Sequence, residues 1–179
     1  MATTPFQTRM TVSGNQFRMQ RISEAAAQTF LTGTPLQLTA GFLAAWNGTT
    51  TTDGIAGVSA EFGANLAVAG VPQQQTFGTV PFQPAAGNFS RPYFNDGKTG
   101  VYVATADTVF FGQVGPTQTT AQSDIGVNYG MTIDTDGHWF IDKTKTGAAA
   151  VVQITGLDDF DTTRGVRFVF LVTAAQLLA

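Results

Sequence analysis

Apolar and polar positions along this chain recur with a short period. Runs of β-branched and aromatic residues, each four to eight long, are separated by Gly, Pro, Asn and Asp, the pattern of strands joined by turns. The runs fall at 16–22, 35–39, 42–46, 55–60, 76–82, 101–104, 109–114, 126–133, 138–141, 150–155 and 166–172. In the last of these, Val166, Phe168, Phe170 and Val172 point one way and Arg167, Val169 and Leu171 the other. A strand apolar on nearly both faces belongs in the middle of a sheet or under a neighbouring subunit, and Val109-Phe110-Phe111 has the same character. Thr39-Ala40-Gly41 reads as a hairpin with Gly at the tight position. Asp136-Gly137 reads as a two-residue hairpin of the type that needs positive φ, and Asp53-Gly54 and Asp96-Gly97 as further turns. Helical signal is confined to one turn at 23–28, with Ser23 as N-cap and Glu24 near the positive end, and another at 173–178; both are too short to stand without tertiary packing. The expected fold is all-β: a sandwich or small barrel of short antiparallel strands.

Two stretches, 83–100 and 115–124, are rich in Pro, Gly, Thr and Gln and read as long surface loops, which on a β scaffold are usually functional or disordered. Residues 1–14 read as an extended arm, and residues 15–179 as the β-domain, either on one core or as two β subdomains around a loop-rich middle at 70–123. An arm with no core of its own gains order only by lying on something else. Its deletion is therefore expected to leave the domain folded.

Charge is scarce. Asp, Glu, Lys and Arg make up 12% of residues, against about 25% in typical domains, and 28 Thr and 14 Gln supply the polarity instead. Hydroxyls and amides cost less to bury than charges when they find hydrogen bonds, so such a surface favours protein contact. The net charge of −3 and the dispersed basic residues argue against nucleic acid. No run approaches the roughly 20 apolar residues of a membrane span, and the N-terminus lacks the apolar run of a signal peptide, so the expected place of synthesis is the cytoplasm. Charge is nonetheless uneven. Arg9, Arg18 and Arg21 precede the first acid, whereas residues 134–161 hold six Asp against Lys143 and Lys145. Ends of opposite sign dock between copies, pair within one copy or stay solvated.

Reactive chemistry finds little footing. His138 is the single histidine and follows a turn, where it reads as an exposed strand residue rather than one member of a triad or zinc site. Asp134-Thr135-Asp136-Gly137 looks like a fragment of a calcium loop but lacks the distal Glu. Asp158, Asp159 and Asp161 form a denser acidic cluster that would hold a cation, face an arginine from a neighbour, or remain solvated. Glu24 and Glu61 are the only glutamates and nothing pairs them as glycosidase carboxylates; no phosphate loop is present. These residues give no enzyme, cofactor or metal site.

The segment TFLTGTPLQLTAGFLAAWNGTTTTDGIAGVSAEFGANLA, with Gly33, Leu36, Leu38, Gly41, Leu43, Ile55, Gly57 and Val58 in a strand–turn–strand–spacer–strand order, resembles the capsid cement (decoration) proteins of tailed bacteriophages. The ending AAVVQITGLDDFDTTRGVRFVFLVTAAQLLA is similar to the close of phage structural proteins. The resemblance covers about a third of the chain and departs from compact members at residues 70–123. It implies a virion protein, made in the host cytoplasm, that reinforces the head by binding the outer face of the major capsid protein and neighbouring copies of itself. A tail, baseplate or head-fibre module that binds a host surface or glycan is the alternative. Exposed aromatics and Arg anchor interfaces, so the expected contact residues are Phe6, Arg9 and Met10 in the arm, Phe89, Arg91, Tyr93 and Phe94 in the first loop, and Asp158, Asp159 and Asp161.

Overall fold

A computed structural model of the chain describes residues 6–11, 18–49, 54–63, 69, 73–74, 94–95 and 97–171. The strands among them are β1 (Gln7–Thr11), β2 (Met19–Ser23), β3 (Pro35–Thr39), β4 (Phe42–Ala45), β5 (Ile55–Ser59), β6 (Gln73–Gln74), β7 (Phe94–Asn95), β8 (Lys98–Val103), β9 (Thr108–Gln113), β10 (Asn128–Ile133), β11 (Trp139–Asp142), β12 (Val152–Leu157) and β13 (Gly165–Phe170). Two single 3-10 turns, Gln122–Asp124 and Gly147–Ala149, are the only helical segments described. The chain is all-β, as its periodicity indicates.

Every strand pairing among the described residues is antiparallel. One sheet has the order β1-β9-β13-β12-β10-β11, a second β2-β8-β5-β3-β4, and β6-β7 form a small ribbon. The second sheet curls until its end strands meet, and the first until β11 reaches the end of β9. A parallel bridge joins Val114 to Ile141 at the mouth of the first, and another joins Glu24 to Leu43 in the second. Curling hides sheet edges that would otherwise offer unpaired N–H and C=O groups.

The larger core lies between the two sheets. It combines Phe110, Val114, Met131, Ile141, Ile154, Val166, Phe168 and Phe170 from the first with Trp46, Ile55 and Val58 from the second. β13 occupies the middle of its sheet and buries Val166, Phe168 and Phe170 on one face, while Arg167 and Val169 are half-buried on the other. The three phenylalanines 110, 168 and 170 pack ring against ring at centroid distances of 5.1–5.8 Å, and each contributes about 1.5–3 kcal/mol by burial. Inside the curl of the second sheet lies a smaller core of Phe30, Leu36, Leu43, Ala56 and Val101. A bulge places Ala56 opposite no residue of β3: Leu36 faces Gly57 and Gln37 faces Ile55. The extra residue shifts the strand's phase, so Ile55 and Val58 both reach the larger core while Ala56 reaches the smaller one.

Several expectations need correction. The arm is no free segment over its described part, because β1 pairs with β9 and Phe6 is buried at 3% exposure against Phe168, 5.0 Å between ring centroids. Gly112 makes this possible. A Cβ there would stand 2.6 Å from the Phe6 ring. Residues 23–28 form no helical turn: Glu24 N–H donates to Gly97 O and Ala25 N–H to Leu43 O, pairing across strands. Glu24 is fully buried, and Thr99 Oγ1 donates to its carboxylate at 2.5 Å. Residues 98–100, expected in a loop, open β8. The 134–138 turn has one positive φ, at Gly137, not two. Asp134 N–H donates to His138 O and Gly137 N–H to Asp134 O, which makes the loop longer than a two-residue hairpin. The two-residue type forms instead at Ala40-Gly41, where both φ values are positive and Thr39 faces Phe42. The run 76–82, Asp53, Asp96, Val172 and the turn at 173–178 lie outside the described residues.

Candidate interaction surface

The connection between β12 and β13 folds into a compact loop around Gly165. Gly165 N–H donates to Asp161 O at 2.8 Å, and Asp158 N–H donates to Gly165 O at 3.0 Å. A Cβ on Gly165 would lie 2.7 Å from Asp158 Cβ and from Asp161 O, so no other residue fits without moving the loop. Asp161 stitches the loop together. Its Oδ1 accepts from the N–H groups of Thr163 (3.2 Å) and Arg164 (3.0 Å), and its Oδ2 accepts from Gln113 Nε2 (2.7 Å) on β9. Burial raises this carboxyl, but the bonds from Arg164 N–H, Gln113 and Thr163 N–H outweigh it and hold the group below the usual carboxylate range. Arg164 is 3% exposed and donates through Nε and Nη2 to Val114 O, tying the loop base to the end of β9. Arg167 donates in the same forked manner to Leu157 O.

The sequence grouped Asp158, Asp159 and Asp161, and the structure gives them different tasks. Asp161 is internal scaffolding. Asp158 Oδ1 accepts from Phe160 N–H at 3.2 Å and shapes the turn. Asp159 projects outward: its side chain is 93% exposed, with Arg167 Nη2 at 3.9 Å from Oδ2. Between them stands Phe160, 88% exposed, which the sequence reading passed over. Its signal was legible, since a Phe enclosed by three Asp in a turn has little apolar sequence around it to fold against. A fixed loop thus presents one aromatic ring and one carboxylate to the surroundings.

The other expected contact residues fall elsewhere. Phe6 belongs to the core, so it cannot anchor a partner. Arg9 and Met10 lie in β1, where Arg9 is the bulged residue between the paired positions Thr8 and Met10. Phe94 pairs through its backbone with Gln74 in the β6-β7 ribbon. Phe89, Arg91 and Tyr93 lie outside the described residues.

Residues 115–124 are held down by a polar network rather than projecting. Gln118 Oε1 accepts from Lys143 N–H, and its Nε2 donates to Asp142 Oδ1. Lys143 Nζ reaches Asp124 Oδ2 at 2.8 Å and Thr119 O at 2.9 Å. Asp124, 4% exposed, also accepts from Tyr129 Oη and Ala121 N–H. Burial raises Asp124, yet Lys143, Ala121 and Tyr129 together bring it down; burial and the same bond raise Tyr129. These bonds tie the segment to β10 and β11 as scaffolding.

His138 is half-buried rather than exposed, with Nδ1 3.9 Å from Asp134 Oδ1. Its Nδ1 and the Trp139 Nε1 are buried without a hydrogen-bond partner among the described residues. Among those residues no group of three His, Cys, Asp or Glu side chains converges as a metal site, and no helix is long and apolar enough to cross a membrane. No family model, curated protein or solved structure matches the chain.

Proposed function

We propose that this chain is a non-catalytic structural protein of a phage particle, which binds the outer surface of the major capsid protein lattice and stabilises the head. The observation that carries the proposal is the loop at 158–164: a tightly hydrogen-bonded turn that holds Phe160 at 88% exposure beside the carboxylate of Asp159. A large ring held in water by a fixed backbone loses little conformational freedom on docking, which is the property of an interface anchor. The scarcity of charge supports the same reading, as does the polar network that leaves the other long loop closed. On a lattice, each weak contact gains from the copies already seated beside it.

The test is direct. Purified protein is added to undecorated shells and the bound copies are counted. Hundreds of copies per shell are expected, and Phe160→Ser is expected to weaken binding at least tenfold with the melting temperature unchanged. A stoichiometry of a dozen or fewer would favour a tail, baseplate or fibre part. Full binding by Phe160→Ser would remove the loop from the interface.

A further inference from the structure

We propose that Asn47 is a self-modifying position: in the folded chain the backbone nitrogen of Gly48 displaces its side-chain amide, and hydrolysis leaves aspartate or isoaspartate in its place. This goes beyond the capsid reading and does not depend on what the chain binds.

The sequence supplies the pair, since Asn47-Gly48 is its single Asn-Gly step. Glycine matters there because the attacking nitrogen then has no side chain beside it. The structure supplies the rest. The pair follows β4 in a turn where both residues are exposed and Gly48 has φ +82°. Asn47 N–H donates to Gln37 Oε1 at 3.3 Å, which fixes the turn on its upstream side. Gly48 N–H donates to no described residue, so water or hydroxide can reach it to take its proton. Asn47 Oδ1 accepts from Thr49 N–H at 3.0 Å and from Thr49 Oγ1 at 2.7 Å. These two donors stand where negative charge grows when the amide carbon is attacked, the arrangement of an oxyanion hole. The departing Nδ2 is bonded to none of the described residues.

The chemistry needs only water. Gly48 N gives its proton to hydroxide and attacks Asn47 Cγ. The N–Cγ bond forms, the Cγ–Nδ2 bond breaks, and the amide takes a proton from water and leaves as ammonia. The resulting five-membered succinimide then takes up one water. Cleavage of the new N–Cγ bond gives aspartate; cleavage of the original bond to the Asn47 backbone carbonyl gives isoaspartate. Residues 41–52 hold no charged side chain, so either product places a new carboxylate among them. Isoaspartate also adds one carbon to the main chain between Trp46 and Thr49. Thr49 O accepts from Trp46 Nε1 at 2.8 Å, and Trp46 packs 5.0 Å from Trp139 in the larger core. The change at Asn47 therefore reaches the junction of the two sheets.

Peptide mass mapping of the intact chain, aged in warm and mildly alkaline buffer, tests this. The peptide carrying Asn47 is expected to gain one mass unit and to split into aspartate and isoaspartate forms. It should do so at least tenfold faster than any peptide carrying another asparagine. Thr49→Val keeps the backbone donor but removes the hydroxyl. It should slow conversion at least threefold in the folded chain and leave the rate in urea unchanged, because unfolding already frees the side chain from both donors. Asn47→Gln, which would have to close a six-membered ring, should remain unmodified. The separated isoaspartate form should show altered tryptophan fluorescence, as Trp46 loses its bond to Thr49 O. A folded chain that keeps Asn47 while the urea-unfolded chain loses it would overturn the proposal, since the turn would then protect the side chain. Folded Thr49→Val converting as fast as the wild type would overturn it as well.

Discussion

Asp142 shows how much one side chain settles. It accepts from Thr144 Oγ1 and N–H, Thr132 Oγ1 and Gln118 Nε2, which joins β10, β11 and the 115–124 segment at one carboxylate. Burial raises its pKa, but the bonds from Thr144, Thr132 and Gln118 prevail and bring it down to about 2. A folded-state pKa below the unfolded 3.8 means that the stabilisation is full above pH 4 and fades as pH falls through 2. The shift corresponds to roughly 2 kcal/mol at neutral pH. Asp124 and Asp161 shift in the same direction and add to the same acid sensitivity. Asp142→Asn is expected to lose roughly 2 kcal/mol at pH 7 and to show a shallower decline in stability between pH 4 and 2. Urea titrations across that range measure it, and an unchanged pH slope would refute the assignment.

Among the elements, β1 departs furthest from its sequence. Its residues alternate Gln, Thr, Arg, Met and Thr without an apolar stripe, so nothing local distinguishes a sheet strand from an arm. The deciding residue is Phe6, just before it, whose ring lies over Gly112 and against Phe168. Removing residues 1–14 is therefore expected to destabilise the fold, because Phe6 leaves a cavity beside Phe168. Truncating a buried Phe costs about 3–5 kcal/mol. Gly112→Ala offers a milder probe: its methyl displaces the Phe6 ring while the chain remains intact. Amide exchange in β1 should quicken at least tenfold in that variant, with β10 and β11 protected as before. Unchanged exchange in β1 would show that Phe6 does not pin the strand.

At the scale of the molecule, the two sheets depend on each other. The small core within the second sheet holds few fully buried apolar side chains, too few to stabilise a domain alone. Trp46, Ile55, Val58 and Tyr102 of the same sheet reach the core shared with the first sheet. One cooperative unfolding transition is expected. Trp46 and Trp139, 5.0 Å apart across the junction, report it by fluorescence. Their midpoint in urea should coincide with that of the far-ultraviolet circular dichroism. Two separated midpoints would mean that the sheets are independent domains.

The chain's own residues determined the class of fold, most strand positions and the hairpin at Ala40-Gly41, because period-two alternation and turn chemistry act within a few neighbours. The central place of β13 was legible for the same reason: Val166, Phe168 and Phe170 carry apolar bulk whatever surrounds them. Tertiary structure alone decided which carboxylates are scaffolding and which face outward. Asp159 and Asp161 are two residues apart and chemically identical, yet one is stitched to Gln113 of β9 and the other is 93% exposed. It also decided that Phe6 is core, that Glu24 is buried, and that the bulge at Ala56 redirects Ile55. Each outcome depends on a partner distant in sequence, and no local pattern encodes where such a partner will come to rest.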